Sequence, residues 1–293
     1  MPFAASDLVA LFDIEPTGAD RFVGHSPPSG WPRVFGGQVV AQALVAASRT
    51  VEARAPHSLH AYFLLGGDPA EPILYEVERI RDGHSFTTRR VVARQRDEAI
   101  FVLSASFHRE EDGVDHQFPM PDAPEPDQLV DPMAAIALLG EKAQKRLHGL
   151  LERIQPIEFR PLDLGRYTPL LPGSLREPKQ SLWVRIGGML PDDPAVHRAA
   201  LAYLSDLTLL DTALVAHGRT VFDERFQVAS LDHSLWFHRP FRADDWLLYV
   251  QDSPTAHGAR GLTRGLLYSR AGALVASVAQ EGLVRTMRPP PQA

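Results

Sequence analysis

Residues 194–218, PAVHRAALAYLSDLTLLDTALVAHG, constrain the chain more than any other stretch. Asp193 stands where an N-cap belongs, Pro194 suits a first helical position, and Gly218 is a usual stop. Ala199 to Leu204, Leu207, Leu209, Leu210 and Ala213 to Ala216 put apolar side chains on nearly every side of such a helix. A helix apolar all round is a buried one. Ser205, Asp206, Thr208, Asp211 and Thr212 interrupt it too often for a bilayer span. The pattern predicts one central helix over 194–218 with β-sheet wrapped around it. It also puts Asp206 where a carboxylate is costly to bury without a partner.

The rest of the 293 residues must supply that sheet. Phe35-Gly36-Gly37 opens an apolar segment, residues 38–47, that reads as a second helix. Strands are expected at 57–64, 73–81, 86–95 and 99–107. After Ile157–Leu162 and Ser181–Ile186, further strands are expected at 227–240, 245–252, 261–269 and 273–284. The order of helix, long strand, strand and hairpin thus occurs twice. Short matches accompany it: His57-Ser58-Leu59 with His233-Ser234-Leu235, Tyr75 with Tyr249, and Thr88-Arg89 with Thr263-Arg264. A repeat this long is a duplicated domain rather than a solenoid unit. The expected class is α+β, a double hotdog of two tandem hotdog units, each a long helix wrapped by an antiparallel sheet. The expected boundaries are 1–115 for the first unit, 116–155 for a Pro-rich linker plus a covering helix (134–154), and 156–287 for the second unit. Residues 288–293 read as a disordered tail.

Aligning the copies exposes an asymmetry. Gln38 falls opposite Asp206, Arg54 opposite Ser230, and Ser106 opposite Gln280. Gln280 shares strand parity with Leu274, Ala276 and Val278, so it is expected to point inward and Glu281 away. Asp206, Ser230 and Gln280 are then candidates to converge in an apolar setting, the usual mark of a site. Read alone, each has a plainer meaning: a buried aspartate bonding its neighbours, a strand serine, a strand amide satisfying backbone groups. Asp211 reads as solvent- or interface-facing.

The motifs VFGGQVV (34–40), HSLHAYFL (57–64), RDGHSF (81–86), YLSDL (203–207), LDHSLWFHRP (231–240) and AQEG (279–282) resemble the acyl-CoA thioesterase II family, over roughly residues 7–286. The resemblance implies a double hotdog that hydrolyses acyl-CoA, acts in fatty acid and lipid metabolism, and forms a homodimer or homotetramer. It implies no cofactor and no metal. The family's catalytic Asp, Thr/Ser and Gln fall on Asp206, Ser230 and Gln280. Ser230 stands where relatives often carry Thr, and Leu65-Gly66-Gly67-Asp68 where they often carry Arg-Pro-Gly-Asp, which removes a cation. For thioester hydrolysis Asp206 would be the general base, with Ser230 and Gln280 holding the water. Backbone N–H groups at Gly36 and Gly37, or around Ser205, would receive the oxyanion. Attack by the carboxylate itself is a second route.

Other chemistries are excluded by residue type. A formal charge of −6 disfavours nucleic acid as a partner, and the absence of cysteine removes thiolate nucleophiles and disulfides. Asp7 and Asp13 break the N-terminal apolar run, so no signal sequence, no membrane insertion and a cytoplasmic location are expected. Asp232, His233 and Ser234 cannot form a relay among themselves, because adjacent strand residues face opposite ways. His233, Trp236 and His238 read as packing residues. A hotdog hydratase would want an Asp–His pair, and no histidine lies in the helix motif near Asp206. A non-catalytic acyl-CoA sensor is the third reading.

Overall fold

A computed structural model describes residues 3–27, 32–131, 156–167, 170, 174–221 and 223–287. The expected covering helix at 134–154 and the tail at 288–293 lie outside the described residues. Residues 109–125 run without regular structure, as their prolines dictate.

The chain begins with α1 (Ala5–Phe12), β1 (Glu15–Gly18), β2 (Arg21–Gly24) and α2 (Gly36–Ser48). Then come β3 (Ala55–Phe63), β4 (Ile73–Asp82), β5 (Phe86–Gln95) and β6 (Glu98–His108). After the irregular segment come β7 (Ile157–Pro161), β8 (Lys179–Ile186), α3 (Pro194–Ser205) and α4 (Thr212–Val215). The chain closes with β9 (Phe226–Ser230), β10 (Asp232–Phe237), β11 (Leu247–His257), β12 (Arg260–Ser269) and β13 (Leu274–Thr286). All strands join one antiparallel sheet in the order β1-β2-β4-β5-β6-β3-β10-β13-β12-β11-β8-β7, with β9 also on β13. Two blocks, β4-β5-β6-β3 and β10-β13-β12-β11, therefore meet at the β3–β10 pair, where Leu59 lies opposite Leu235.

The inner face of the sheet and the buried faces of α1, α2 and α3 form the main core, with Val40, Leu44, Leu59, Leu103, Leu201 and Leu235 almost wholly excluded from water. A second apolar cluster lies around Trp183, Trp246, Leu248 and Tyr268, and the irregular segment covers it with Met120 and Ala123. Trp183 Nε1 donates to the Pro124 carbonyl (2.8 Å), and the Gln117 side chain bonds Gly272 O and Leu274 N.

The single helix expected over 194–218 is two. α3 stops at Ser205, a turn follows, and α4 is one short helix. Buried side chains from the sheet explain the break, because they take carbonyls that an unbroken helix would use. Tyr249 donates its hydroxyl to Ser205 O (2.9 Å), and Gln180 Nε2 reaches Thr208 O (3.1 Å). Gln251 Nε2 holds the Thr208 hydroxyl (2.7 Å). Polar side chains that offer or accept local bonds disfavour helix interiors. The strand expected over 227–240 is likewise two, β9 and β10, because the chain turns at Leu231, whose N–H bonds Glu281 O and whose carbonyl receives Phe63 N–H. Asp211 does not face solvent freely: its Oδ1 accepts the Val221 N–H at 2.8 Å.

α2 and α3 run against each other with almost no side chain between them at one point. A Cβ on Gly37 would lie 2.2 Å from the Tyr203 carbonyl oxygen and 2.6 Å from the Phe35 ring. Backbone cannot yield there as a flexible side chain would. Gly37→Ala is therefore expected to lower stability by about 1–3 kcal/mol, read as a lower urea midpoint. An unchanged midpoint would show that the two helices are not in this contact.

Candidate active site

Asp206 is the C-cap residue of α3, and its side chain is 6% exposed. The helix break turns it toward the β9–β13 junction. Its Oδ1 accepts Gln280 Nε2 at 2.6 Å and lies 3.5 Å from the Ser230 hydroxyl. Gln280 comes from the middle of β13, wholly buried, with Glu281 half-exposed beside it as the strand's alternation requires. Ser230 does not begin a long strand. It is the last residue of β9, opposite Gly282, and the turn at Leu231 leaves it facing Asp206. The helix break, the turn and the strand parity thus bring the three together.

The other carboxylate oxygen faces α2. A Cβ on Gly36 would sit 2.6 Å from Asp206 Oδ2 and 3.0 Å from the Phe63 ring, so only glycine leaves room here. Gly36 and Gly37 open the helix, where N–H groups have no carbonyl of the preceding turn to receive them. The N–H groups around Ser205 are committed instead: those of Asp206 and Leu207 both return to Leu204 O. The two glycines therefore differ, Gly36 bordering the carboxylate and Gly37 serving the helix contact.

His233, read from sequence as a packing residue, is the neighbour that reading missed. It is fully buried on β10; its Nε2 is 2.9 Å from Ser205 Oγ and its Nδ1 is 4.0 Å from Asp206 Oδ1. Ser205 has one hydroxyl proton and gives it to Ala202 O (3.0 Å), so Nε2 carries the imidazole proton and donates it to Ser205 Oγ. Nδ1 is then a bare acceptor, and it is buried without a partner, as is Gln280 Oε1. Burial holds His233 below its ordinary value of 6.5 against the opposing pull of Asp206, so the ring is neutral. Burial also keeps the Tyr249 phenol well above 10, reinforced by the Asp206 charge. Asp232 and Ser234 stay out of this group: Asp232 Oδ1 accepts Glu281 N–H, and Ser234 Oγ meets His60 Nδ1 on the exposed side. The alternation His233-in, Leu235-in was the signal that could have placed the ring beside Gln280.

The corresponding residues of the first block make no such group. Ser106 aligns with Gln280 and keeps its pairing to a threonine, Thr88 as Gln280 pairs with Thr263. The face is opposite: Gln280 and Thr263 are buried inward, whereas Ala105, Phe107, Thr87 and Arg89 hold the inward places beside Ser106 and Thr88. A one-residue offset flips every side chain of a strand. His57 is the extra residue of a bulge between Pro56 and Ser58. It turns to Ser106 Oγ (2.8 Å) and the rings of Phe86 and His108. Gln38 bonds Ser26 Oγ and His25 O, and Arg54 bonds Thr87 and two carbonyls, so neither stands in for Asp206 or Ser230. Among the described residues no cluster of His, Cys, Asp and Glu could hold a metal ion, and no helix is long and apolar enough to cross a membrane.

Comparison with known proteins agrees across the whole chain. Residues 151–283 match the model of the family described as acyl-CoA thioesterase, and residues 27–108 that of the acyl-CoA thioesterase N-terminal domain. Human acyl-coenzyme A thioesterase 8 is 43% identical over 95% of this chain and 88% of its own length. Acyl-CoA thioesterase 2 of Haemophilus influenzae is 37% identical over 96% and 97%. Among solved structures, an acyl-CoA thioesterase II from Mycobacterium marinum superposes with a TM-score of 0.78 at 42% identity, covering 96% of this chain and 98% of that one. A protein from Alicyclobacillus acidocaldarius described as having a hot dog fold gives 0.77 at 18% identity over 96% and 98%, a likeness of fold.

The neutral, buried His233 has a consequence for stability. Its folded pKa lies below the unfolded value near 6.5, so in that window the unfolded chain binds the extra proton. Stability is full above about pH 6.5 and declines as pH falls through the window. His57, His197 and His238, also lowered first by burial, act in the same sense. Urea unfolding at pH 7.5 and pH 5 should show the loss, and His233→Gln should shrink the difference without abolishing it. A difference unaltered by the substitution would mean that His233 titrates normally.

Proposed function

This chain belongs to the acyl-CoA thioesterase II family, and we propose that it cleaves acyl-CoA with a water held between Asp206 and His233. The observation that carries this is the sorting of the Asp206 oxygens. Oδ1 receives the Gln280 amide and the Ser230 hydroxyl, while Oδ2 faces the open start of α2. Asp206 Oδ1 and His233 Nδ1, 4.0 Å apart, are both acceptors. One water at ordinary hydrogen-bond distance, ~2.8 Å from each, would give one proton to each and keep its lone pairs free. The tandem blocks joined at β3–β10 fit a double hotdog, with one site in the second unit and its helix-start donors drawn from the first.

In this reading Asp206 is the general base, and Gln280 and Ser230 fix its orientation. The water oxygen attacks the thioester carbon as its proton passes to Asp206. The carbonyl oxygen gains charge beside the N–H groups of Gly36 and Gly37, where the α2 dipole is positive. The tetrahedral intermediate then collapses, the C–S bond breaks, and the CoA sulfur leaves with the proton Asp206 returns. Ser205 fixes the His233 tautomer rather than touching substrate. Attack by Asp206 itself would pass through a mixed anhydride, and water opening it at the aspartyl carbonyl would leave ¹⁸O label on Asp206 in a single turnover.

The proximity of His233 to Asp206 also favours a second reading, an enoyl-CoA hydratase with an Asp–His pair. His233 is wholly buried and its one ring proton is already bonded to Ser205, so it has an acceptor for water and no proton to give an enoyl substrate. Assays with saturated acyl-CoA and enoyl-CoA in parallel separate the two readings; hydration without CoA release would establish the hydratase.

Asp206→Asn keeps an oxygen for Gln280 and should fold with an unchanged urea midpoint. Release of CoA from fatty acyl-CoA should fall by about 10²–10⁴-fold in kcat. Ser230→Thr should stay active. His233→Ala should lower kcat more than it raises KM, because the ring holds water rather than substrate. Near-wild-type turnover in Asp206→Asn would overturn the assignment.

A further inference from the structure

The two ends of the β3–β10 pair are not alike in chemistry, although they are alike in construction. At one end the start of β10 lies beside the end of β3, and the end of α3 meets the start of α2; Asp206 sits there. At the other end Pro56 and His57 lie near Phe237 and Arg239, and the end of α2 approaches the start of α3. A cavity of about 1100 Å³ opens at this second end. None of Asp206, Ser230 and Gln280 lines it. Gly36 borders Asp206 while Arg49 lines the cavity, and thirteen helical residues put the two ends roughly 20 Å apart.

The lining combines an apolar floor with guanidinium groups. Val9, Val45, Val51, Val196 and Phe237 contribute the floor. Arg49, Arg54, Arg109, Arg198 and Arg239 stand around it, with the carboxylates of Asp13, Glu110 and Asp193. Arg49 is neutralised by Asp13, Arg109 by Glu111 and Arg239 by Asp115. Among the described residues Arg54 bonds only the Thr87 hydroxyl and the carbonyls of Gly83 and His84, none of which compensates its charge. Arg198, half-buried, makes no hydrogen bond or ion pair among the described residues. The acid that acts on it, Asp193, uses its Oδ1 to cap α3. Burial lowers the Arg198 pKa, a cost that an anion in the cavity would relieve. A cavity with an apolar wall and a few convergent charges is the form a small-molecule site takes. No carboxylate in it is placed as Asp206 is, with amide and hydroxyl donors behind it, so it binds without hydrolysing.

We propose that this cavity is a second, non-hydrolytic site for an alkyl chain with an anionic head, phosphate or carboxylate, held by Arg198 and Arg54. Two sources carry that chemistry: intact acyl-CoA and the released fatty acid. The choice between them rests on the thioesterase reading above, whereas the cavity and its charge do not.

Calorimetric titration of the full chain tests this without turnover. The probes are the non-hydrolysable S-dodecyl-CoA thioether, dodecanoate and CoA alone. Two sites per chain are expected for the thioether if acyl-CoA is the source. One site at the cavity for dodecanoate, and a single site for the thioether, are expected if the fatty acid is. In either case Arg198→Glu should weaken the cavity site at least tenfold. Val196→Trp, which fills the floor and leaves the charge, should do the same. Binding that neither substitution alters would overturn the proposal, as would CoA alone binding the cavity as tightly as the acylated probe. Asp206→Asn should keep the cavity site. Turnover retained in that variant would refute the catalytic assignment and leave the cavity result standing.

Discussion

A charged carboxylate at the wrong end of its own helix is the constraint on which the rest depends. Asp206 caps α3 at its C-terminus, where the helix dipole is negative and an anion is disfavoured by about 0.3–1 kcal/mol. Burial adds to that cost. The compensation comes from elsewhere in the chain: the positive end of α2 faces Oδ2, and Gln280 and Ser230 donate to Oδ1. The glycine pair makes the first of these possible. A side chain at Gly36 would collide with the carboxylate, and one at Gly37 would push the two helices apart. Close helix packing and the electrostatics of the site are therefore one feature.

The sheet decides where that carboxylate points. Had α3 continued to Gly218, Asp206 would have been one more residue of a buried cylinder. Tyr249, Gln180 and Gln251 prevent this by taking Ser205 O, Thr208 O and the Thr208 hydroxyl. The two bonds to carbonyls replace bonds the helix would have made, so the break leaves few buried groups unpaired. The polar atoms left over are informative: His233 Nδ1 and Gln280 Oε1 are buried without a partner among the described residues, both within the Asp206 group. Unsatisfied buried atoms that cluster are spaces shaped for something else to bond.

Much of this was legible in the sequence because strands alternate. The inward placement of Gln280 followed from Leu274, Ala276 and Val278, and the buried character of 199–204 from its apolar density. What the sequence hid were effects that local pattern does not encode. The end of α3 depends on side chains 25 and more residues away in either direction. The turn at Leu231 depends on the β13 and β3 backbones. The sequence neighbours of His233, Asp232 and Ser234, are not its partners, because they face the other side of the strand. Its real partners, Ser205 and Asp206, lie on the helix above the strand.

The two blocks show how small a change separates a site from its counterpart. Aligned residue by residue, His57 matches His233 and Ser106 matches Gln280, and Ser106 and Gln280 each pair with a threonine. One extra residue in β3 and a one-residue offset in facing are enough to send His57 and Ser106 to the outer surface. Phe107 takes the inward place, so the buried Gln280 and His233 have no inward counterpart at that end. Arginine instead of aspartate is the stable solution at an end where helix α2 finishes, since its C-terminal dipole favours a cation: Arg49 caps α2, as Asp206 caps α3. The same architecture thus presents an anion at one end of the β3–β10 pair and cations at the other.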